Sequence, residues 1–230
     1  IGMIKNDLLS VLFPEKCLSC GVFLSDGDTE FFCKKCESEI ERVKPPYNHG
    51  RLTGVFDYAV APFFYRGSIK NAILRLKYSE KERVSVFLGK EMSKEINSRF
   101  FGVKFDILTC VPATRKSVAE RGYNQSGSIL EHIYIDNGID YKCCGYPVYD
   151  FNLLFKDKTT EVQHLLGAEN RRENIAGAYH ISSGRDVYGK TVLLADDIYT
   201  TGSTVNSCAA ELKRHGAKAV FVAVAALAGR

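Results

Sequence analysis

The stretch Thr191-Val192-Leu193-Leu194-Ala195-Asp196-Asp197-Ile198-Tyr199-Thr200-Thr201-Gly202-Ser203-Thr204 decides how the rest of this chain is read. Thr191 to Ala195 are mostly apolar, the pattern of a short strand buried on both faces of a parallel sheet. Asp196 and Asp197 follow at the expected carboxyl end of that strand. Thr200 to Thr204 make a small, hydroxyl-rich turn, and Val205, Cys208, Ala209 and Leu212 predict the inner face of a helix opening from it. Ligands of open α/β sheets sit at the carboxyl ends of strands. A turn of small residues at a helix N-terminus offers backbone N–H groups and a favourable dipole to an anion. Carboxylates beside such a turn suit sugar hydroxyls or a hydrated Mg²⁺. The plainer alternative is a strand, turn and helix in which the acids only cap the helix. Acids, glycine and hydroxyls falling in one register favour a ligand site.

A second buried strand is expected over Phe105 to Val111, followed by a loop carrying Arg115, Lys116 and Arg121. That loop brings cations to the same sheet edge as the acids, where a pyrophosphate would be held. Ala217 to Leu227 reads as a further core strand, Gly54 to Phe64 as one or two strands, and Tyr149 to Phe155 as another. Apolar spacing predicts helices over Ser68 to Lys77 and Glu82 to Phe100, and a helix from Asn124 to Asp136. Strands alternating with helices imply a mainly parallel α/β sheet with helices on its faces.

The N-terminal part has another chemistry. Cys17-Leu18-Ser19-Cys20 and Cys33-Lys34-Lys35-Cys36 are two Cys-x-x-Cys knuckles separated by twelve residues. In a chain without secretory features they read as a structural four-thiolate Zn²⁺ site, against a rubredoxin-like iron site or a redox dithiol pair. A metal would also staple some thirty residues that have little core of their own. Residues 3–13 suit a short helix or docked arm. Pro45-Pro46 and His49-Gly50 mark a linker, dividing a region 1–50 from a domain 51–230. Cys110 and Cys208 fall on apolar faces as core residues, and Cys143-Cys144 have no role beyond packing or adventitious oxidation.

The bulk numbers fit this division. With 230 residues, 45% hydrophobic and 25% charged, the chain is an ordinary globular protein, and its net charge of +4 permits an anionic partner without demanding one. No apolar run is long enough to span a bilayer and no signal peptide is evident, so a cytoplasmic location is expected. Ile1-Gly2 ahead of Met3 look like a cloning scar.

The strand, acid pair and Ile198-Tyr199-Thr200-Thr201-Gly202-Ser203-Thr204 resemble the phosphoribosyl pyrophosphate (PRPP) signature of type I phosphoribosyltransferases. The likeness extends over nearly the whole chain: the cysteine knuckles, Lys77-Tyr78, Val111-Pro112 before the basic segment, Arg121-Gly122-Tyr123-Asn124-Gln125, and Arg171-Arg172-x-Asn174-x-x-Gly177-Ala178-Tyr179. Together these are similar to the ComF family of bacterial competence proteins, which join a zinc finger to a phosphoribosyltransferase-like domain. Two departures are Ala195, where a bulkier residue is common, and Lys156 and Lys158, where arginines are frequent. The resemblance implies that Thr200, Thr201, Gly202, Ser203 and Thr204 hold the 5-phosphate of PRPP and that Asp196 and Asp197, the catalytic acids, hold the ribose hydroxyls. Mg²⁺ would bridge hydroxyls and pyrophosphate, with Arg115, Lys116 and Arg121 steadying the pyrophosphate. Lys77, Thr160, Gln163 and Asn174 are assigned to the hood or acceptor side. The implied function is PRPP binding in DNA uptake during natural transformation, with single-stranded DNA and competence proteins as partners. Lys16, Lys34, Lys35 and the rings of Tyr47, Tyr58 and Tyr78 suit a DNA strand. The alternative is an active transferase with an unidentified acceptor.

Overall fold

The computed structural model describes residues 15–44, 52, 54–76, 81–157 and 178–228. Along Ala219–Leu227 (β8) every residue is uncharged, and their side chains alternate between two hydrophobic clusters. Phe221, Ala223 and Ala225 face one cluster, and Val220, Val222 and Val224 the other. A strand with apolar residues on both faces belongs in the middle of a covered parallel sheet, and that is its place. With Tyr58–Val60 (β1), Phe63–Phe64 (β2), Ile107–Cys110 (β3), Val148–Tyr149 (β4) and Thr191–Tyr199 (β7), it builds a six-stranded sheet in the order β1-β8-β7-β3-β4, β2 also pairing with β8. Every pairing in this sheet is parallel. Leu154–Lys156 (β5) and Tyr179–Ile181 (β6) form a separate antiparallel ribbon.

Helices cover both faces. Gly67–Arg75 (α2, after the short Lys34–Ser38, α1), Lys81–Arg99 (α3) and Gln125–Leu130 (α5) put Ile69, Leu88 and Ile129 into the cluster that holds Phe221. Ser203–Arg214 (α7) puts Val205, Cys208, Ala209 and Leu212 into the other, together with Leu154 and Tyr179 of the ribbon. Arg115–Arg121 (α4) and Tyr141–Cys144 (α6) complete the helices among the described residues. Cys110 and Cys208 are core residues, as the sequence implies. No helix among the described residues is long and apolar enough to cross a membrane.

The cysteine-bearing segment shares the sheet's core. Cys17, Leu18, Phe32 and Cys36 belong to the same cluster as Leu193 and Phe221. Phe31 and Phe32 lie against Phe87 of α3, with ring centroids 5.3 and 5.0 Å away. Arg83 of α3 donates to the carbonyls of Lys16 (2.6 Å) and Glu30 (2.8 Å). The expected linker at Pro45 to Gly50 and the arm over residues 3–13 lie outside the described residues.

Four sequence expectations are corrected. The strand before the acids does not stop at Ala195. It runs on to Tyr199, because β8 continues alongside and pairs with Asp196, Ile198 and Tyr199. The basic segment is a helix, not a loop: the Thr114 side chain accepts from Ser117 N at 3.0 Å and Gly122 ends α4 at φ 79°. The helix expected to Asp136 ends at Leu130, and α3 takes two of the backbone donors further along. Tyr134 N donates to Ser93 Oγ (2.8 Å) and Asp136 N to Asn97 Oδ1 (2.9 Å). The stretch Tyr149 to Phe155 is likewise two strands, broken by a turn in which Asn152 N donates to the Asp150 carboxylate.

Candidate functional site

Two parallel neighbours, β3 and β7, end side by side, with Cys110 in register with Ala195. Asp196 and Asp197 lie just beyond that point. Asp196 is only 7% exposed. Its Oδ1 accepts from Ser126 Oγ at 2.8 Å and from Asp197 N at 3.0 Å. Burial, and then the neighbouring Asp197 charge, push the Asp196 carboxyl well above its ordinary range. The Asp197 carboxylate accepts from Ile198 N at 2.8 Å and is half-buried.

The turn after β7 is shaped by Gly202, whose φ of 75° is left-handed and which sits at the N-cap of α7. A Cβ there would also come within 2.1 Å of the Tyr199 hydroxyl. Gly202 O accepts from both Asn206 N (2.8 Å) and Asn206 Nδ2 (3.0 Å), and the hydroxyls of Thr201 and Ser203 lie 2.9 Å apart. Thr204 meets the buried Tyr179 hydroxyl, whose ionisation burial suppresses. Thr200 and Thr201 are exposed, and Ser203 and Thr204 half-buried. The five turn residues thus stand together at the strand end that carries the acids.

The three expected cations differ in their surroundings. Lys116 pairs with Glu120 at 3.9 Å, and Arg121 donates to Gln125 Oε1 at 2.5 Å. Arg115 instead lines a cavity of about 410 Å³ together with Lys81 and Lys156. Tyr123, Phe151 and Phe155 add aromatic walls, Tyr123 with its ring 4.1 Å from the Lys81 ammonium. Asn124 and Gly127 of the α5 turn line this cavity, while Ser126 of the same turn reaches Asp196. Lys77, Thr160, Gln163 and Asn174 lie outside the described residues.

The cysteine centre is a second site. The sulfurs of Cys17, Cys20, Cys33 and Cys36 lie within 4.8 Å of one another, Cys20 and Cys33 being 3.8 Å apart. Tetrahedral Zn–S bonds of about 2.3 Å place sulfurs about 3.8 Å apart, so the four side chains fit a metal such as zinc. Gly21, at φ 79°, turns the first knuckle and donates from its N–H to Cys17 O at 2.9 Å. Burial opposes ionisation of Cys17, but backbone N–H groups of Cys20, Cys33 and Ser19 outweigh it and lower its thiol to about 7. Such a centre is closed, since four thiolates leave no position open for chemistry.

Comparison with known proteins agrees with this pairing of sites. The family model "Phosphoribosyl transferase domain" matches residues 152–230, which contain the acids and the turn. The DNA utilization protein YhgH of Escherichia coli K12 is 28% identical over 209 residues, 90% of this chain and 81% of that protein. The competence protein ComFC of Streptococcus pneumoniae R6 is 26% identical over 238 residues, 89% of this chain and 96% of that one. These likenesses, with the four-cysteine cluster, support a ComFC-like relationship. Among solved structures, a hypoxanthine phosphoribosyltransferase from Staphylococcus aureus superposes with a TM-score of 0.36 at 18% identity, spanning 62% of each chain.

Sequence reading missed Ser126, Lys81 and Tyr179 as neighbours of the candidate site residues. Ser126 follows directly on the Arg-Gly-Tyr-Asn-Gln segment, a signal of position though not of contact. Lys81 stands one residue before the helix expected from Glu82. Tyr179 ends a segment quoted only for its family likeness, and the ribbon brings it to Thr204.

Proposed function

We propose that this chain binds Mg²⁺-PRPP at the end of β7 and serves in DNA handling in the cytoplasm. The observation that carries the reading is the juxtaposition at one strand end of a hydroxyl-rich turn at a left-handed glycine and a carboxylate held by a buried serine. The 5-phosphate occupies the turn Thr200 to Thr204, and the ribose hydroxyls meet Asp196 and Asp197. Mg²⁺, a hard cation that suits oxygen donors, supplies charge neutralisation for the pyrophosphate. Arg115, Lys116 and Arg121 steady the pyrophosphate, and Lys81 and Lys156, which line a cavity with Arg115, add to the attraction. The four cysteines hold a structural zinc. The names of the curated relatives, DNA utilization protein and competence protein, support the DNA role.

Calorimetric titration of Mg²⁺-PRPP tests the site. The wild type binds, and Asp196→Asn with Asp197→Asn loses binding roughly 100-fold or more while keeping the fold. Undiminished binding in the double variant refutes the assignment. A transferase reading draws support from the phosphoribosyl transferase match; release of pyrophosphate on adding an acceptor would favour it over binding alone.

A further inference from the structure

The carboxylate of Asp196 is held from two directions, and the two holds differ in kind. Asp197 N is the next residue along the strand, so its hydrogen bond follows wherever β7 goes. Ser126 Oγ comes from a residue 70 positions away in sequence and donates to the same Oδ1 at 2.8 Å. Both partners are buried, Ser126 at 5% and Asp196 at 7% exposure. The serine is itself fixed: every residue of α5 is buried, and Asn124 Nδ2 ties the start of the helix to Val111 O at 3.0 Å, at the end of β3. The local donor alone leaves the carboxyl group free to turn about its side-chain bonds. A second donor from an immobile helix removes that freedom.

We propose that Ser126 is a positioning residue, its hydroxyl fixing the Asp196 carboxylate in the orientation that meets the sugar hydroxyls of PRPP. The proposal rests on the reading of Asp196 given above. It also gives the segment Arg121 to Ser126 one physical task. Arg121 braces Gln125, Asn124 grips the β3 end, and Ser126 sets the acid across from it. A serine that merely satisfied a buried acid would matter to folding alone. A positioning serine matters to affinity at constant stability.

The experiment is calorimetric titration of Mg²⁺-PRPP into the full chain as wild type, Ser126→Ala, Ser126→Cys and Ser126→Thr, with the melting temperature of each recorded alongside. Ser126→Cys keeps the volume and offers only a weak donor, so it reads the hydrogen bond even if the alanine variant folds poorly. The alanine and cysteine variants are expected to bind about tenfold more weakly at unchanged melting temperature. Ser126→Thr, which keeps the hydroxyl, is expected to stay within roughly threefold of wild type. Wild-type affinity in the folded alanine or cysteine variant overturns the proposal. An affinity loss that tracks melting temperature in all three variants overturns it too, in favour of a structural role. Absence of binding by the wild type refutes the reading of the whole site, and the role of Ser126 falls with it.

Discussion

Asp196→Asn is expected to stabilise the ligand-free protein at neutral pH while removing its candidate binding function. The wild-type carboxyl is buried, and burial plus the adjacent Asp197 charge push it well above its ordinary value of 3.8. The folded state therefore holds this proton more tightly than the unfolded chain does. Its contribution to stability is full below about 3.8 and is lost as pH rises through the folded value. Asparagine keeps an acceptor for Ser126 Oγ and Asp197 N, so the substitution removes the charge without orphaning either donor. A gain of the size a favourable single substitution commonly brings, about 0.5–2 kcal/mol, is expected at pH 7.5, a rise of about 1–8 °C in melting temperature for a chain of this length. Scanning calorimetry in buffer free of phosphate and Mg²⁺ measures it, and the gap between variant and wild type should narrow at pH 5. A wild type as stable as the variant at pH 7.5, or a gap that widens on acidification, refutes the reasoning.

Other substitutions probe other parts. Gly202→Ala combines a left-handed φ with a Cβ 2.1 Å from the Tyr199 hydroxyl, and should cost roughly 2 kcal/mol or more in urea unfolding, with loss of PRPP binding. Removing metal with a chelator should lower the melting temperature of the whole chain in one calorimetric transition, because Cys17, Leu18, Phe32 and Cys36 share a cluster with Phe221; two separate transitions would contradict this. Phe87→Ala, which deletes the ring between Phe31, Phe32 and Phe63, should cost about 3–5 kcal/mol and weaken metal retention in the same preparation, read by elemental analysis. Acidification should weaken the tie of Glu91 to Lys94 and Arg42. Those partners outweigh burial and hold its carboxyl below the ordinary range, so this stability is present above about 4.5 and lost below it; Glu91→Gln should flatten that acid limb.

Much of the fold was legible because its signals are local. Continuous apolar runs at Thr191–Ala195 and Ala219–Leu227 have no place to be but the middle of a covered sheet. Paired knuckles at Cys17 to Cys36 carry their geometry in their spacing. What was not legible depends on residues far apart. Ser93 and Asn97 take backbone donors beyond Leu130 from another element, and nothing near Glu131 announces it. The extension of β7 past the acids is written in the length of β8, not in β7. The helical form of Arg115–Arg121 was signalled by Thr114 and Gly122, but the density of charge there favoured a loop reading. Along that helix Arg115 lines a cavity with Lys81 and Lys156, and Lys116 lies beside Glu120.

The strand order has a consequence for biosynthesis. β8 stands between β1 and β7, yet it follows every other strand along the chain. A ribosome therefore releases β1 long before β8, its neighbour in the sheet, exists, and the apolar surfaces of α2 and α3 must wait with it. Chain growth of about 5–20 residues per second makes that interval many seconds long. A stop codon in place of Ala219 would remove residues 219–230 and leave β1 and β2 without the strand that joins them to the sheet. Such a product belongs to chaperones and proteases rather than to a partly working protein.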